Sequence, residues 1–153
     1  MTSEGASVSA QVVPPGAGRS FGPGIAVKVE YGASRSFAAF ESELPSSWEG
    51  PPPHVHRNQD EAFYVLDGSV TFWLDGRSQL CPTGSFVFVP RGSAHGFGTT
   101  DVSARILVVV TPEAIRLVEG VYELSSSGAS PDPGAVAAVF EQYDSEVLPP
   151  RRF

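Results

Sequence analysis

The sequence predicts an all-β sandwich or barrel with two short helices at its C-terminal end. Three observations predict it. Between Ile25 and Pro112, short apolar runs with the period of half-buried strands are separated by Gly and Pro turn signals. The spacing is close and regular, as in antiparallel sandwiches and barrels. Beyond Pro112 the apolar period changes to that of helices.

The chain has 153 residues, enough for one domain and one core. At 41% hydrophobic and 18% charged, its middle is not an intrinsically disordered composition. The formal net charge is −7, and no Lys/Arg cluster stands out beyond Arg151-Arg152. A nucleic-acid partner is therefore not expected. The one cysteine, Cys81, cannot form an internal disulfide and fits a reducing compartment. Beside Pro82 it reads as a small apolar strand-end residue. No apolar run approaches the roughly 20 residues that span a bilayer. The N-terminus shows neither the basic nor the apolar region of a secretory signal. A cytoplasmic protein without a membrane partner is the expectation.

Taken in order, residues 1–24 are rich in Ser, Gly, Ala and Pro and are expected to be flexible, with Val8 to Val13 the one stretch that could pair as a strand. Residues 25–112 form the barrel. Its first strand is Ile25 to Tyr31, with the larger apolar residues on odd positions. Ser36 to Glu43 is a weaker candidate. Glu61 to Leu66 and Ser69 to Leu74 flank Asp67-Gly68, a preferred two-residue hairpin turn. A second Asp-Gly follows at 75–76. Ser85 to Val89 and Arg105 to Thr111 complete the strands. Residues 113–153 form a helical tail. Thr111-Pro112-Glu113 reads as an N-cap, a Pro at the first helical position and an early acid, and Asp132-Pro133 repeats the logic. Val136, Val139, Phe140 and Tyr143 keep helical spacing. Two short helices covering the barrel wall are the simplest reading.

All three histidines of the chain fall in two runs. His54 and His56 are two apart, so on extended backbone they share a face. Glu61 follows five residues after His56, and His95 lies in Gly84-Ser-Phe-Val-Phe-Val-Pro90-Arg-Gly92-Ser-Ala-His95. Three imidazoles and a carboxylate form a metal-site composition. The set suits one divalent transition metal, Fe, Mn, Ni, Co, Cu or Zn, rather than Ca or Mg. Four protein ligands leave positions open on an octahedral ion for water, substrate or O₂, which marks a catalytic site.

These two runs resemble the two motifs of the cupin superfamily. His54, His56, Glu61 and Gly68 match the first, G-x5-H-x-H-x3/4-E-x6-G. Gly84, Pro90, Gly92 and His95 match the second, G-x5-P-x-G-x2-H-x3-N. Two departures appear: only Pro51 to Pro53 separate Gly50 from His54, and Thr99 stands where the family has Asn. The resemblance implies a double-stranded β-helix of the jelly-roll type, with His54, His56, Glu61 and His95 holding one metal ion. Glu61 could bind the metal, act as a general base beside it, or alternate between these roles.

If Asp67-Gly68 closes a two-residue hairpin, Val65 faces Val70, Phe63 faces Phe72 and Glu61 faces Leu74. Glu61, Phe63, Val65, Val70, Phe72 and Leu74 then share the interior with the metal. Phe97 shares parity with His95. Such an interior suits an aromatic or apolar small-molecule substrate, although the deepest of these residues could simply fill a core. Tyr64, Thr71 and Trp73 fall on the other face. A homodimer is expected from the two aromatics there, with the Val8 to Val13 segment covering that face or extending a partner's sheet.

Within the cupins, the motif runs look most like single-domain quercetinase-like proteins, which include metal-dependent dioxygenases that cleave flavonols. That resemblance implies a dioxygenase acting on an aromatic or enolic substrate, with Glu61 as the catalytic proton acceptor. A second class is a non-oxidative cyclase or isomerase of secondary metabolism, with the metal as Lewis acid. A third is a non-catalytic binding cupin. One scaffold hosts many functions, so the fold does not rank them. Oxygen dependence separates the first from the second, and absent turnover with metal in place points to the third.

Overall fold

A computed structural model of the chain describes residues 9–150. Ten strands and two helices follow one another along it. The first five strands are β1 (Ile25–Val29), β2 (Ala38–Leu44), β3 (His54–His56), β4 (Glu61–Asp67) and β5 (Ser69–Leu74). Then come β6 (Arg77–Pro82), β7 (Phe86–Val89), β8 (His95–Gly98) and β9 (Ala104–Val110). Helices α1 (Pro112–Leu124) and α2 (Pro133–Gln142) precede a last short strand, β10 (Ser145–Val147).

The strands form two antiparallel five-stranded sheets, ordered β1-β2-β9-β4-β7 and β10-β3-β8-β5-β6. Alternating side chains turn inward from both. Phe63, Val65, Ile106, Val108 and Val110 come from the first sheet, and Val70, Phe72 and Cys81 from the second, all within one core cluster. Fully burying an aromatic or branched side chain contributes roughly 1.5–3 kcal/mol relative to leaving it exposed. Cys81 is a buried core residue, as its apolar setting predicts.

The hairpin expected at Asp67-Gly68 is not formed. β4 pairs with β7 and β9, whereas β5 pairs with β6 and β8. A bulge between Val65 and Asp67 breaks the register, and the chain then crosses to the other sheet. Gly68 takes φ +73 there, and a Cβ on it would fall 2.1 Å from the Ser103 carbonyl oxygen. Only glycine fits that crossing. The hairpin sits instead at Asp75-Gly76, joining β5 to β6 with φ +46 and +89. Two positive φ values in succession are what a type I′ turn requires.

The predicted faces survive this correction because the two sheets oppose each other. Glu61, Phe63, Val65, Val70 and Phe72 are buried, while Tyr64 is 40% exposed and Thr71 and Trp73 are half-buried. Residues 9–13 of the expected Val8 to Val13 strand carry no strand, and Val8 lies outside the described residues. The N-terminal segment instead touches the sheet at Arg19, which bridges Val27.

Both helices begin where their capping signals place them. Asp132 accepts a hydrogen bond from the Ala135 N–H at 2.9 Å, as an N-cap should. Thr111 does not cap α1 through its side chain. Its hydroxyl accepts from the Asp60 N–H at 2.9 Å instead, tying α1 to the start of β4. Among the described residues, no helix is long and apolar enough to cross a membrane.

Candidate metal centre

Strand geometry assembles the polar site. His54 and His56 lie on one face of β3, both turned inward. His95 opens β8 directly opposite His54 in the ladder. Glu61 opens β4 in the facing sheet. The centre therefore spans the two sheets, with three imidazoles from one and a carboxylate from the other. One ligand atom from each of the four residues lies within 4.8 Å of the others, and all four residues are buried.

The imidazoles are oriented by their other nitrogens. His54 Nδ1 lies 2.7 Å from the Pro52 carbonyl oxygen, and His95 Nδ1 lies 3.0 Å from that of Ser93. A carbonyl only accepts, so each Nδ1 carries a proton, and in the neutral ring Nε2 keeps its lone pair. His56 Nδ1 lies 2.7 Å from Ser145 Oγ on β10. Metal-bound histidines are held in this way by a second hydrogen bond.

The Nε2 side has the complementary pattern. His95 Nε2 faces Glu61 Oε2 at 3.0 Å, and His56 Nε2 faces Glu61 Oε1 at 3.4 Å. Two lone pairs do not sit 3.0 Å apart without a positive charge between them, either a proton or a metal ion. His56 Nε2 is buried without a hydrogen-bond partner among the described residues. The donor set thus fits a divalent transition metal, which would satisfy the orphaned nitrogen and the carboxylate together.

Electrostatics follow the same geometry. Burial, with His95 and His56 alongside, brings the His54 pKa down to about 3, so His54 is neutral at physiological pH. Burial pushes the Glu61 carboxyl up, but the His56 and His95 imidazoles that face it outweigh this and hold it below the ordinary carboxylate range. Burial likewise opposes charge on His95, yet the Glu61 carboxylate raises its pKa above the usual imidazole value.

A cavity of about 560 Å³ opens beside the centre. His54, His56 and Glu61 stand in its wall, whereas His95 is fully buried behind it. Of the expected pocket residues, Phe63 and Phe97 line the cavity. Val65, Val70 and Phe72 do not; they lie in the core, with Phe72 packed against both Phe63 and Phe97 at 5.2 and 5.6 Å. Leu74 also lies outside the cavity wall, half-buried and opposite His95 in the ladder.

The remaining wall comes from regions whose sequence signals packing only. Trp48 stacks edge-on to Phe97 at 5.7 Å. Leu117, Val118, Val121 and Tyr122 of α1 face the cavity with Val136 and Phe140 of α2. The Phe140 ring lies 5.0 Å from that of His54. The helices therefore cover the cavity as well as the barrel. Their apolar stripes signal a buried face without saying what that face covers. Tyr122 adds a polar group, its hydroxyl hydrogen-bonded to Ser42, and burial pushes its pKa up.

Two opposed antiparallel sheets enclosing a three-histidine, one-carboxylate cluster define a small β-barrel protein with a metal-site-like interior. Residues 40–110 match the cupin domain, so this part of the chain is a cupin domain. Quercetin 2,3-dioxygenase of Bacillus subtilis is 34% identical over 71 residues, which are 43% of this chain and 21% of that one. The polyketide cyclase RemF from Streptomyces resistomycificus is 31% identical, over 58% of this chain and 68% of that one, with a TM-score of 0.50. The DMSP lyase DddQ from Ruegeria pomeroyi is 26% identical, over 57% and 45%, with a TM-score of 0.50. The chain spans about half or less of the length of the curated relatives it matches.

Proposed function

We propose that this cupin is a metal-dependent dioxygenase acting on an aromatic hydroxyl or enol compound of flavonol-like size. The observation that carries the reading is the cavity itself: about 560 Å³, walled by Phe63, Phe97, Trp48 and Phe140, with His54, His56 and Glu61 at one side. That volume falls in the range of small-molecule sites. The partial similarity to a quercetin 2,3-dioxygenase supports the same substrate class.

His54, His56, Glu61 and His95 hold the metal in this reading. A bound divalent ion would supply Lewis acidity to a substrate hydroxyl or enol. The aromatic walls hold a flat ring and exclude water. Glu61, ionised before substrate arrives, takes the proton that leaves the hydroxyl. A carboxylate this acidic would accept it only from a hydroxyl made more acidic than usual, which is the chemistry a bound cation would supply. Proton removal is a transition-state role, so Glu61→Gln should lower kcat more than it raises KM.

The test is stopped-flow absorbance with quercetin and related polyphenols, in air and under argon, on protein reconstituted with each candidate metal. Loss of the flavonol band in air alone supports the dioxygenase. Equal turnover under argon selects the second reading, a non-oxidative cyclase, which the similarity to the polyketide cyclase favours. No turnover with metal bound leaves a binding cupin.

A homodimer belongs to the same proposal. Tyr64 on β4 and Phe86 and Phe88 on the edge strand β7 are 40%, 67% and 59% exposed on one outer face. An unprotected edge beside an apolar stripe is a surface that a second copy can cover. Sedimentation equilibrium showing only a 16.2 kDa species at micromolar concentration would refute it.

A further inference from the structure

We infer that Ser145, on the last strand, is a positioning residue of the metal centre: its hydroxyl sets the tautomer of His56 so that Nε2 offers its lone pair to the ion. The inference rests on the metal-centre reading above and is independent of which reaction the site performs.

The argument is a proton count around one hydroxyl. Ser145 Oγ lies 3.1 Å from the Tyr143 carbonyl oxygen, which can only accept. The single hydroxyl proton of Ser145 therefore points to Tyr143. Toward His56 Nδ1, 2.7 Å away, the hydroxyl offers only lone pairs. His56 must then carry its proton on Nδ1, which leaves Nε2 bare. That nitrogen is the buried orphan beside Glu61.

Ser145 differs from the groups that orient the other two imidazoles. His54 and His95 donate to backbone carbonyls two residues before them, so their tautomers are fixed within their own loops. His56 depends on a side chain 89 residues away. The fold invests heavily in that placement. β10 pairs with β3 in a register that sets Ser145 opposite His56 and Val147 opposite His54. The ladder is extended by Arg57 N–H to Asp144 O at 3.0 Å and by Leu148 N–H to Pro53 O at 2.7 Å. Gln59, buried, donates to the same Tyr143 carbonyl at 2.8 Å and anchors the acceptor. Ser145 is fully buried, so no water substitutes readily for its hydroxyl. Loss of such a partner typically costs 10–100-fold in metal affinity.

The decisive measurement uses metal-free protein. Side-chain ¹⁵N NMR of the three histidines should show His56 as the Nδ1–H tautomer. In Ser145→Ala that tautomer should lose its dominance while His54 and His95 keep theirs. Co²⁺ titration followed by d–d absorbance should show affinity reduced about 10–100-fold in Ser145→Ala, and by less in the near-isosteric Ser145→Cys. A wild-type His56 protonated on Nε2 would overturn the inference without any variant, whether or not Ser145→Ala folds. So would a folded Ser145→Ala with wild-type tautomers and Co²⁺ affinity within about twofold of wild type, a change far below the usual cost of losing such a partner.

Discussion

The strand wall of the cavity holds its polar groups by hydrogen bonds, whereas the helical wall meets the cavity mainly with apolar side chains. On the strand side, each imidazole Nδ1 has a fixed acceptor, and Glu61 is positioned between two Nε2 atoms. On the helical side, Leu117, Val118, Val121, Val136 and Phe140 supply bulk and shape. One wall thus sets the chemistry and the other sets what fits. Changes on the first should act through the metal, and changes on the second through the ligand.

The largest effect tests the strand wall. The double variant His54→Ala, His95→Ala should lose essentially all bound metal on analysis of protein purified without chelator. Full retention would break the assignment of chemistry to that wall. Acidity gives the next effect. His95 has a raised pKa because burial, which opposes its charge, is outweighed by Glu61. A proton must therefore leave His95 before Nε2 can bind an ion. Metal affinity should fall about tenfold per unit as pH drops below that raised value, and level off above it. His54, brought down to about 3, adds no competing proton in this window. Co²⁺ titrations between pH 5.5 and 8 would read the slope, and a flat profile would contradict the pairing.

The helical wall is tested by smaller changes. Val118→Phe places a ring in the cavity from α1. It should weaken binding of a flavonol-sized ligand about tenfold, near 1.4 kcal/mol, while leaving Co²⁺ affinity unaltered. Calorimetric titration of both ligands checks the split, and a matched loss of metal would erase the distinction between the walls. Smallest of all, Asp132→Ala removes the cap of α2 and should cost about 1 kcal/mol. A fall in Tm of roughly 2–4 °C would register it, again with metal affinity retained.

The two walls also differ in how far sequence alone reveals them. His54 and His56 are legible because a period of two places them on one face, and their resemblance to a known motif pair brings in Glu61 and His95. The helices are legible from Pro112, Asp132-Pro133 and the apolar spacing after them. What they cover is not, since an apolar stripe carries no address. The hairpin lies at the other Asp-Gly for a related reason: both Asp67-Gly68 and Asp75-Gly76 carry the turn signal, but only the second joins paired strands. Strand β6 is mostly exposed and polar, with none of the alternation that betrays a half-buried strand. Strand β10 is only three residues long, so Ser145 gives no signal until the ladder places it beside His56.

The division of ligands between the sheets has a mechanical consequence. An ion held by three groups from one layer and one from the other would work as a rivet through the barrel. With one bound, parting the layers at that point would have to break coordination first. Backbone amides of β4 and β3 would then exchange with deuterium more slowly in the loaded protein, and the slowing would spread along both layers from the rivet.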